Sequence, residues 1–256
     1  MPRILRLLLG LAAALPGARA AETVAVAAAS DLVFCLEALR TEFARTEPAV
    51  AVRLTTGSSG NFFAQIRHGA PFDVFLSADV RYPRELVAAG AADGRSLALY
   101  AIGRIVLWTN RADLNPADPA AFVRHPAVKK FAIANPQHAP YGQAAREALL
   151  ALGVWTEVQP RLVLGENIAQ TAQFVQTGNA EAGIVALSLV LAPALQGLGR
   201  WQELPESLYR PLEQALVLTV AGTRNPAAVR FAAFLRSPAA RAVFERYGFR
   251  LPPALP

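Results

Sequence analysis

Short apolar runs and amphipathic segments alternate along most of the chain, at the spacing of strands followed by helices. The run TVAVAAA (23–29) has the continuous apolar character of a buried strand, and apolar residues recur at helical spacing from Ser30 to about Thr46. Further strands are predicted over 50–55, 73–77, 101–109, 130–134, 161–164, 183–187 and 215–221. Further helices are predicted over 61–67, in a segment ending at Gly90, within 141–153, and over 168–177, 226–236 and 238–247.

This alternation predicts an α/β fold with two lobes. Strands that alternate with helices form βαβ units, whose strands lie parallel in one sheet. No Pro- or Ser-rich linker separates the two sets of elements, so the chain is expected to pass between the lobes through ordinary strands. We assign residues 22–101 and 217–256 to lobe one and residues 102–216 to lobe two. Two crossings between the lobes suit a hinge.

The first twenty residues have the features of a cleavable signal peptide. Arg3 and Arg6 precede the apolar run Leu7–Leu15, and Ala18-Arg19-Ala20 fits a small-x-small cleavage site. Cleavage there predicts a periplasmic protein. Loss of the three arginines in this segment lowers the formal net charge from +6 to +3. The remaining charge gives little reason to expect a nucleic-acid partner.

The amino-acid composition excludes several classes of protein and of site. Hydrophobic residues make up 54% of the chain and charged residues 17%, which is enough for a folded core and excludes intrinsic disorder. The single cysteine excludes a disulfide scaffold, and three scattered histidines argue against a histidine-based metal centre. Cys35 stands between Phe34 and Leu36, so we expect a buried, unreactive thiol.

Four predicted helices begin with small or polar residues directly after a strand or loop. These openings are Ser30-Asp31, Gly57-Ser58-Ser59-Gly60, Pro140-Tyr141-Gly142 and Glu166-Asn167-Ile168. The first N–H groups of a helix have no partner within it and carry partial positive charge. Two openings fall in each lobe, at strand ends where α/β proteins bind ligands, so closure would direct all four at one small anion. A serine at such a start is also a common stabilising cap, so the set of four, and no single member, indicates a site.

At these residues the chain resembles the periplasmic molybdate-binding proteins of ABC transporters, over nearly its whole mature length. The matching stretches are VAVAAASDL (24–32), GSSGNFFAQIRHGAPFDVFLSAD (57–79), NPQHAPYGQAAREAL (135–149), GENI (165–168), AGIVALS (182–188) and FLRSPAARAVFERYGF (234–249). The resemblance implies the type II two-lobe periplasmic binding protein fold, each lobe a mostly parallel sheet flanked by helices, with a hinge between. It implies capture of molybdate or tungstate in the interlobe cleft, without catalysis, cofactor or separate metal site. It also implies delivery to a membrane permease, by a protein expected to be a monomer.

The resemblance assigns the oxyanion contacts residue by residue. Ser30 and Ser59 are each expected to offer a hydroxyl and a backbone N–H, whereas Tyr141 and Ile168 are expected to offer backbone N–H groups. The chain departs from some members at Ala186, where those members place a tyrosine hydroxyl on the anion. The hydroxyl of Tyr141 is a candidate replacement.

Asp31 raises an electrostatic question, because a carboxylate in the cleft would repel a dianion or hold a proton for it. At the first turn of a helix a carboxylate can instead point outward and complement the helix dipole. We therefore expect the side chain of Asp31 to face outward.

Two other functions stay open on the sequence alone. One is a binding protein for another oxyanion such as sulfate, which a cradle sized for a larger ion would hold by longer, weaker bonds. The other is a hydrolase on the same scaffold, with Ser59 as nucleophile and His68 or His138 as base. The sequence contains no convincing Ser-His-Asp arrangement and no Gly-x-Ser-x-Gly elbow. We therefore predict a binding protein and not an enzyme.

Overall fold

The computed structural model describes residues 22–253 of the chain. The predicted signal peptide, residues 1–20, lies outside this range. Within the range, no helix combines the length and the apolar character that crossing a membrane requires.

Strands and helices alternate through the described residues, as the hydrophobic pattern predicts. The strands are β1 (Glu22–Ala29), β2 (Val50–Gly57), β3 (Val74–Ser77), β4 (Ala98–Gly103), β5 (Ile105–Thr109), β6 (Phe131–Ala134), β7 (Leu162–Gly165), β8 (Ala182–Ala186), β9 (Arg200–Glu203) and β10 (Leu212–Leu218). The α-helices are α1 (Val33–Thr46), α2 (Ser59–Arg67), α3 (Arg81–Ala88), α4 (Pro119–Arg124), α5 (Pro140–Ala151), α6 (Trp155–Val158), α7 (Ile168–Gln176), α8 (Leu187–Val190), α9 (Pro226–Phe234) and α10 (Pro238–Arg246). A 3₁₀ turn, Ser30–Leu32, joins β1 to α1.

The first sheet has the strand order β2-β1-β3-β10-β4 and carries helices on both faces. On one face, Val26 of β1 packs in a cluster with Leu36 of α1 and Phe231 of α9. On the other face, Phe75 of β3 packs in a cluster with Phe62 of α2. Because both faces are covered, the strands read as continuous apolar runs.

The second sheet has the order β7-β6-β8-β5-β9 and forms the other lobe. Its core contains Trp108 of β5, Phe131 of β6 and Ile184 of β8, together with Ala145 of α5 and Val175 of α7. All five side chains are essentially inaccessible to solvent. The two lobes therefore each have a core of their own, as the two-lobe α/β fold class requires.

The sheets are mostly parallel, as predicted, because one strand of the five in each sheet is reversed. In the first sheet β1 is parallel to β2 and β3, but β10 is antiparallel to β3 and β4. In the second sheet β6 is parallel to β7 and β8, but β5 is antiparallel to β8 and β9. The reversed strands β10 and β5 are the first strands to enter each sheet after a crossing, so no βαβ connection fixes their direction.

The crossings also lie a few residues away from the predicted lobe boundaries. β4 ends at Gly103 in the first sheet and β5 begins at Ile105 in the second, so 101–109 is two strands and not one. The chain returns between Glu203 and Leu212, because β10 begins at Leu212, which pairs with Gly103. Residues 102–103 and 212–216 therefore belong to the first sheet. The polar pair Glu213 and Gln214 interrupts the apolar pattern and hides the start of β10.

Candidate functional site

The four predicted helix openings meet between the two sheets. β1 and β2 are neighbours in the first sheet and lead into α1 and α2, and β6 and β7 are neighbours in the second and lead into α5 and α7. The carboxyl ends of neighbouring parallel strands lie at the same edge of a sheet, so each lobe presents two helix starts side by side. Ser30 opens the turn before α1, Ser59 is the first residue of α2, Tyr141 is the second of α5, and Ile168 is the first of α7.

These four residues line one small cavity between the lobes. Each is at most 3% exposed, and the cavity that they enclose is small, about 10 Å³. Its remaining lining residues are Ala29, Asp31, Gly57, Ser58, Ala78, Ala139 and Pro140, so no lysine, arginine or histidine of the described residues lines it. First-turn N–H groups lack partners within their own helices and lie at the positive end of the dipole. The hydroxyls and first-turn N–H groups of this lining are neutral donors of the kind that bind small anions.

The hydroxyl oxygens of Ser30 and Ser59 each accept one hydrogen bond, and the hydroxyl proton of each remains free to be donated. Ser59 Oγ accepts from the backbone N–H of Ala78, at 3.0 Å. Ser30 Oγ accepts from the backbone N–H of Ala169 in the other lobe, at 3.3 Å. A hydroxyl has one donor and two acceptor positions, so each serine can still donate to a guest in the cavity.

Backbone contacts across the cleft hold the lobes close together beside the cavity. The Gly60 N–H donates to the His138 carbonyl oxygen at 3.0 Å, and His138 Nδ1 lies 2.9 Å from Ser58 Oγ. A Cβ atom added to Gly60 would lie 2.6 Å from that carbonyl oxygen, closer than real Cβ contacts. A glycine at this position therefore permits the close approach of the two backbones.

Asp31 does not face outward as expected; it is buried in the cleft. Its Oδ2 accepts hydrogen bonds from the Tyr141 hydroxyl at 3.0 Å and from Gln214 Nε2 at 2.5 Å. Burial raises the pKa of Asp31 from 3.8 to about 6, against the opposing effect of these two hydrogen bonds. The lobes cover this helix start from both sides, so the solvent that would favour an outward carboxylate is missing. The Tyr141 hydroxyl is committed to Asp31, which corrects its expected role as the replacement donor for Ala186.

The histidines do not form the nucleophile–base pair that the hydrolase hypothesis needs. Neither His68 nor His138 is hydrogen-bonded to Ser59, because His68 Nδ1 lies against the Ala64 carbonyl oxygen at 2.7 Å and His138 contacts Ser58. Ser58 Oγ accepts from the Asn61 N–H as the cap of α2. Within residues 22–253 no group of three or more His, Cys, Asp or Glu side chains is arranged to hold a metal ion.

A wider crevice adjoins the cavity, but carboxylates in its lining balance the charge of its arginines. It shares Ala78 and Pro140 with the cavity and is lined by Arg81, Arg84 and Arg210. Two of these arginines already have carboxylate partners: Arg81 pairs with Asp79 at 2.5 Å, and Arg210 pairs with Glu147. The cavity at the helix starts is therefore the better anion site.

Two contributors to the site, Ala78 and Gln214, are not predicted from the sequence. Ala78 follows β3 at the same sheet edge as Ser30 and Ser59, so its position after a strand is a usable signal. Gly60 belongs to a predicted helix opening, but its contact with His138 joins segments far apart in the chain and has no local signal. Gln214 is a fully buried amide in a mostly apolar strand, which marks it as a residue with a specific hydrogen-bonding role.

Comparison with known proteins identifies the family of the chain. Residues 24–250 match the family model described as bacterial extracellular solute-binding protein. The chain is 40% identical to the molybdate-binding protein ModA of Rhodobacter capsulatus, over 87% of this chain and 89% of the relative. It is 38% identical to ModA of Azotobacter vinelandii, over 91% of this chain and 92% of the relative.

The solved structure of a periplasmic molybdate-binding protein from Azotobacter vinelandii superposes with a TM-score of 0.84 at 33% identity, covering 90% of this chain and 99% of that one. This match confirms the two-lobe α/β fold over nearly all of the described residues. Together with the family model and the two curated relatives, it also confirms the predicted resemblance. The chain belongs to the bacterial extracellular solute-binding protein family.

Proposed function

We propose that this protein captures molybdate, and tungstate, as a dianion in the cavity between its lobes and delivers it to the permease of an ABC transporter. The observation that carries the proposal is the convergence of four helix starts, two from each lobe, on one buried cavity without a cation. The names of the two curated relatives and of the solved structure point to the same ligand. The proposed setting is the periplasm, after cleavage of residues 1–20, and the proposed working form is a monomer.

Neutral donors suit this task because the ligand must be both held and released. A dehydrated dianion is costly in a closed cleft unless its oxygens are hydrogen-bonded. Hydrogen bonds to a charged group contribute about 1.5–3 kcal/mol each, so several of them offset desolvation and closure of the lobes. We assign these bonds to the hydroxyls and N–H groups of Ser30 and Ser59 and to the N–H groups of Tyr141 and Ile168.

Titration calorimetry with purified, ligand-stripped protein tests the proposal. We expect molybdate and tungstate to bind with one ion per chain and sulfate to bind much more weakly, because a smaller ion forms longer bonds to the same donors. Absence of heat with both heavy oxyanions would refute the proposal. Stronger binding of sulfate than of molybdate would instead support the alternative oxyanion.

The role assigned to Ser59 is tested with a matched serine. Ser59→Ala removes one hydroxyl donor, so we expect affinity for molybdate to fall by about 10- to 150-fold. Ser96→Ala is the control, since Ser96 Oγ also accepts from a backbone N–H, that of Leu218 at 2.8 Å, but does not line the cavity. Equal affinities of the two variants would contradict the assignment.

The hydrolase alternative retains one observation in its favour, the contact of His138 with Ser58. His138 Nε2 also lies 3.5 Å from Glu166 Oε2, so a serine, a histidine and a carboxylate are in line. However, Ser58 caps α2, and the Glu166 side chain is well exposed to solvent. Turnover of a p-nitrophenyl ester that is lost in Ser58→Ala would support a hydrolase. We expect no such turnover.

A further inference from the structure

The carboxyl group of Asp31 is hydrogen-bonded on one oxygen only. Oδ2 accepts from both the Tyr141 hydroxyl and Gln214 Nε2, at 3.0 and 2.5 Å. Oδ1 is buried and has no hydrogen-bond partner. Asp31 lines the cavity, so an anion bound there would lie beside this carboxyl group, whose Oδ1 is the oxygen without a partner.

The surrounding network fixes which oxygen accepts and which is left over. The Tyr100 hydroxyl donates to Gln214 Oε1 at 2.8 Å, which turns the amide so that its Nε2 donates towards Asp31. Gln214 Nε2 also lies 3.1 Å from the Tyr141 oxygen, so that hydroxyl has its proton free for Asp31 Oδ2. With two donors on Oδ2, a proton on this carboxyl group belongs on Oδ1.

Among residues 22–253, no cationic side chain is hydrogen-bonded to or paired with Asp31. The titratable groups beside this residue are Tyr141 of α5, Tyr100 of β4 and Cys35 of α1, and burial raises the pKa of each of the three above its ordinary value. All three are therefore neutral at physiological pH. β10 contributes the neutral Gln214, and α8 contributes Ser188, whose hydroxyl donates to the Asp31 carbonyl oxygen at 2.7 Å.

An ionised Oδ1 beside a bound dianion would place two unscreened negative groups in one small cavity. A protonated Oδ1 supplies an additional donor to the anion and removes the repulsion. The raised pKa of Asp31, about 6, already makes the proton easy to acquire near neutral pH. A neighbouring dianion raises it further, because a like charge disfavours the ionised form.

We propose that Asp31 holds the oxyanion as a neutral carboxylic acid, with Oδ1–H donating to an anion oxygen, so that capture of the dianion takes up one proton from solvent. The proton sits on Asp31 in the complex and returns to solvent when the anion leaves. Asp31 would then fill the donor place left open by Ala186. This inference rests on the proposed function, since it concerns the same anion.

Proton uptake is measured directly by calorimetry of molybdate binding in buffers that differ in ionisation enthalpy. Molybdate is already a dianion at neutral pH, so uptake reports on the protein. We expect about one proton per anion near pH 8, where free Asp31 is ionised, and a smaller number near pH 5, where it is already protonated. Affinity should fall by up to about tenfold per pH unit above pH 6.

Asp31→Asn is the decisive variant, because its amide can accept from Tyr141 and Gln214 through oxygen and donate to the anion through nitrogen without titrating. We expect it to take up no proton, to bind with nearly constant affinity between pH 6 and 8, and to bind more tightly than the native chain at pH 8. His138→Gln is the control, because the His138 side chain contacts Ser58 beside the cavity but does not line it. It should retain the proton uptake.

The outcomes separate this inference from the proposed function. Molybdate binding by the native chain without proton uptake would overturn the inference and leave the function standing. Proton uptake that persists in Asp31→Asn, or disappears only in His138→Gln, would overturn the assignment to Asp31. No binding of molybdate or tungstate by the native chain would overturn the proposed function itself. If Asp31→Asn does not fold, proton uptake by the native chain and by His138→Gln still decides the case.

Discussion

At the scale of single residues, Asp31 ties the stability of the ligand-free fold to pH. Its pKa is about 6 in the folded chain and 3.8 as the ordinary value, so the folded state binds this proton more tightly than the unfolded state. Below about pH 4 Asp31 is protonated in both states and does not affect stability. The free energy of unfolding falls as pH rises from 4 to 6, because the unfolded state loses this proton first, and it stays lower by a constant amount above pH 6. The difference between the two pKa values corresponds to about 3 kcal/mol as an order of magnitude.

Urea unfolding of the native chain and of Asp31→Asn, without ligand, measures this effect. We expect the variant's advantage in free energy of unfolding to grow between about pH 4 and 6 and then to level off. Some other carboxyl groups make the fold more stable as pH rises; Asp93 is one, because its hydrogen bond with Arg95 lowers its pKa. These groups are the same in both proteins, so their effects cancel in the difference between the two free energies of unfolding. A difference that stays constant from pH 4 to 8 would contradict the buried-acid interpretation.

The four helix-start residues could be predicted from the sequence, whereas the surroundings of Asp31 could not. Ser30, Ser59, Tyr141 and Ile168 follow strands at short spacing, so local pattern and resemblance together locate them. The partners of Asp31 lie 110 and 183 residues away along the chain. The expectation that a first-turn carboxylate points outward applies to a helix end in solvent. It fails at Asp31 because the opposite lobe covers this helix end in place of solvent.

At the scale of elements, a capping residue links helix stability to the site. The Asn167 side chain accepts from the Gln170 N–H at 3.0 Å and so fixes the start of α7, where Ile168 is the first residue. We expect Asn167→Ala to lower the free energy of unfolding by about 1 kcal/mol and also to weaken molybdate binding, because the Ile168 N–H loses its fixed direction.

Ser237→Ala is the matched control for this cap. The Ser237 side chain accepts from the Ala240 N–H at the start of α10, and neither residue lines the cavity. Chemical denaturation and calorimetry of both variants should show similar stability losses but a loss of affinity in Asn167→Ala alone. A weakening of the same size in Ser237→Ala would mean that affinity follows overall stability and not the position of α7.

Most elements with a strong apolar pattern were predicted, and those missed have identifiable reasons. β9 is a mostly exposed edge strand with the polar sequence RWQE, so it offers no hydrophobic alternation. α8 continues the apolar run of β8 without a break, and such a run does not reveal where a buried strand gives way to a buried helix. α4 is short and opens on a cap, Asp118, within a stretch that has little periodicity.

At the scale of the whole molecule, the crossing between lobes is organised by one arginine that the sequence does not distinguish. Arg104 stands between β4 and β5, where its Nε donates to the Gly248 carbonyl oxygen at 2.8 Å and its Nη1 lies 3.1 Å from Glu203 Oε1. These contacts join the tail of the first lobe to β9 of the second. Arg104 interrupts an apolar segment of the sequence, and this interruption marks the change of sheet.

Closure of the lobes is tested at Gly60, where the two backbones come closest. Gly60→Ala adds a Cβ that would lie 2.6 Å from the His138 carbonyl oxygen of the opposite lobe, a contact that exists only when the lobes are closed. Overpacking of this kind costs about 1–3 kcal/mol, so we expect molybdate affinity to fall by about 5- to 150-fold. The ligand-free variant should be no less stable than the native chain, because alanine favours helix α2.

Small-angle scattering with and without molybdate, together with calorimetry, separates a closure defect from a folding defect. The native chain should become more compact on binding, and Gly60→Ala should do so only at higher ligand concentration. Gln65→Ala, an exposed change in the same helix, should behave like the native chain in both measurements. If Gly60→Ala bound and compacted as readily as Gln65→Ala, the close approach of Gly60 and His138 would not form part of the ligand-bound state, and closure would have to take another geometry.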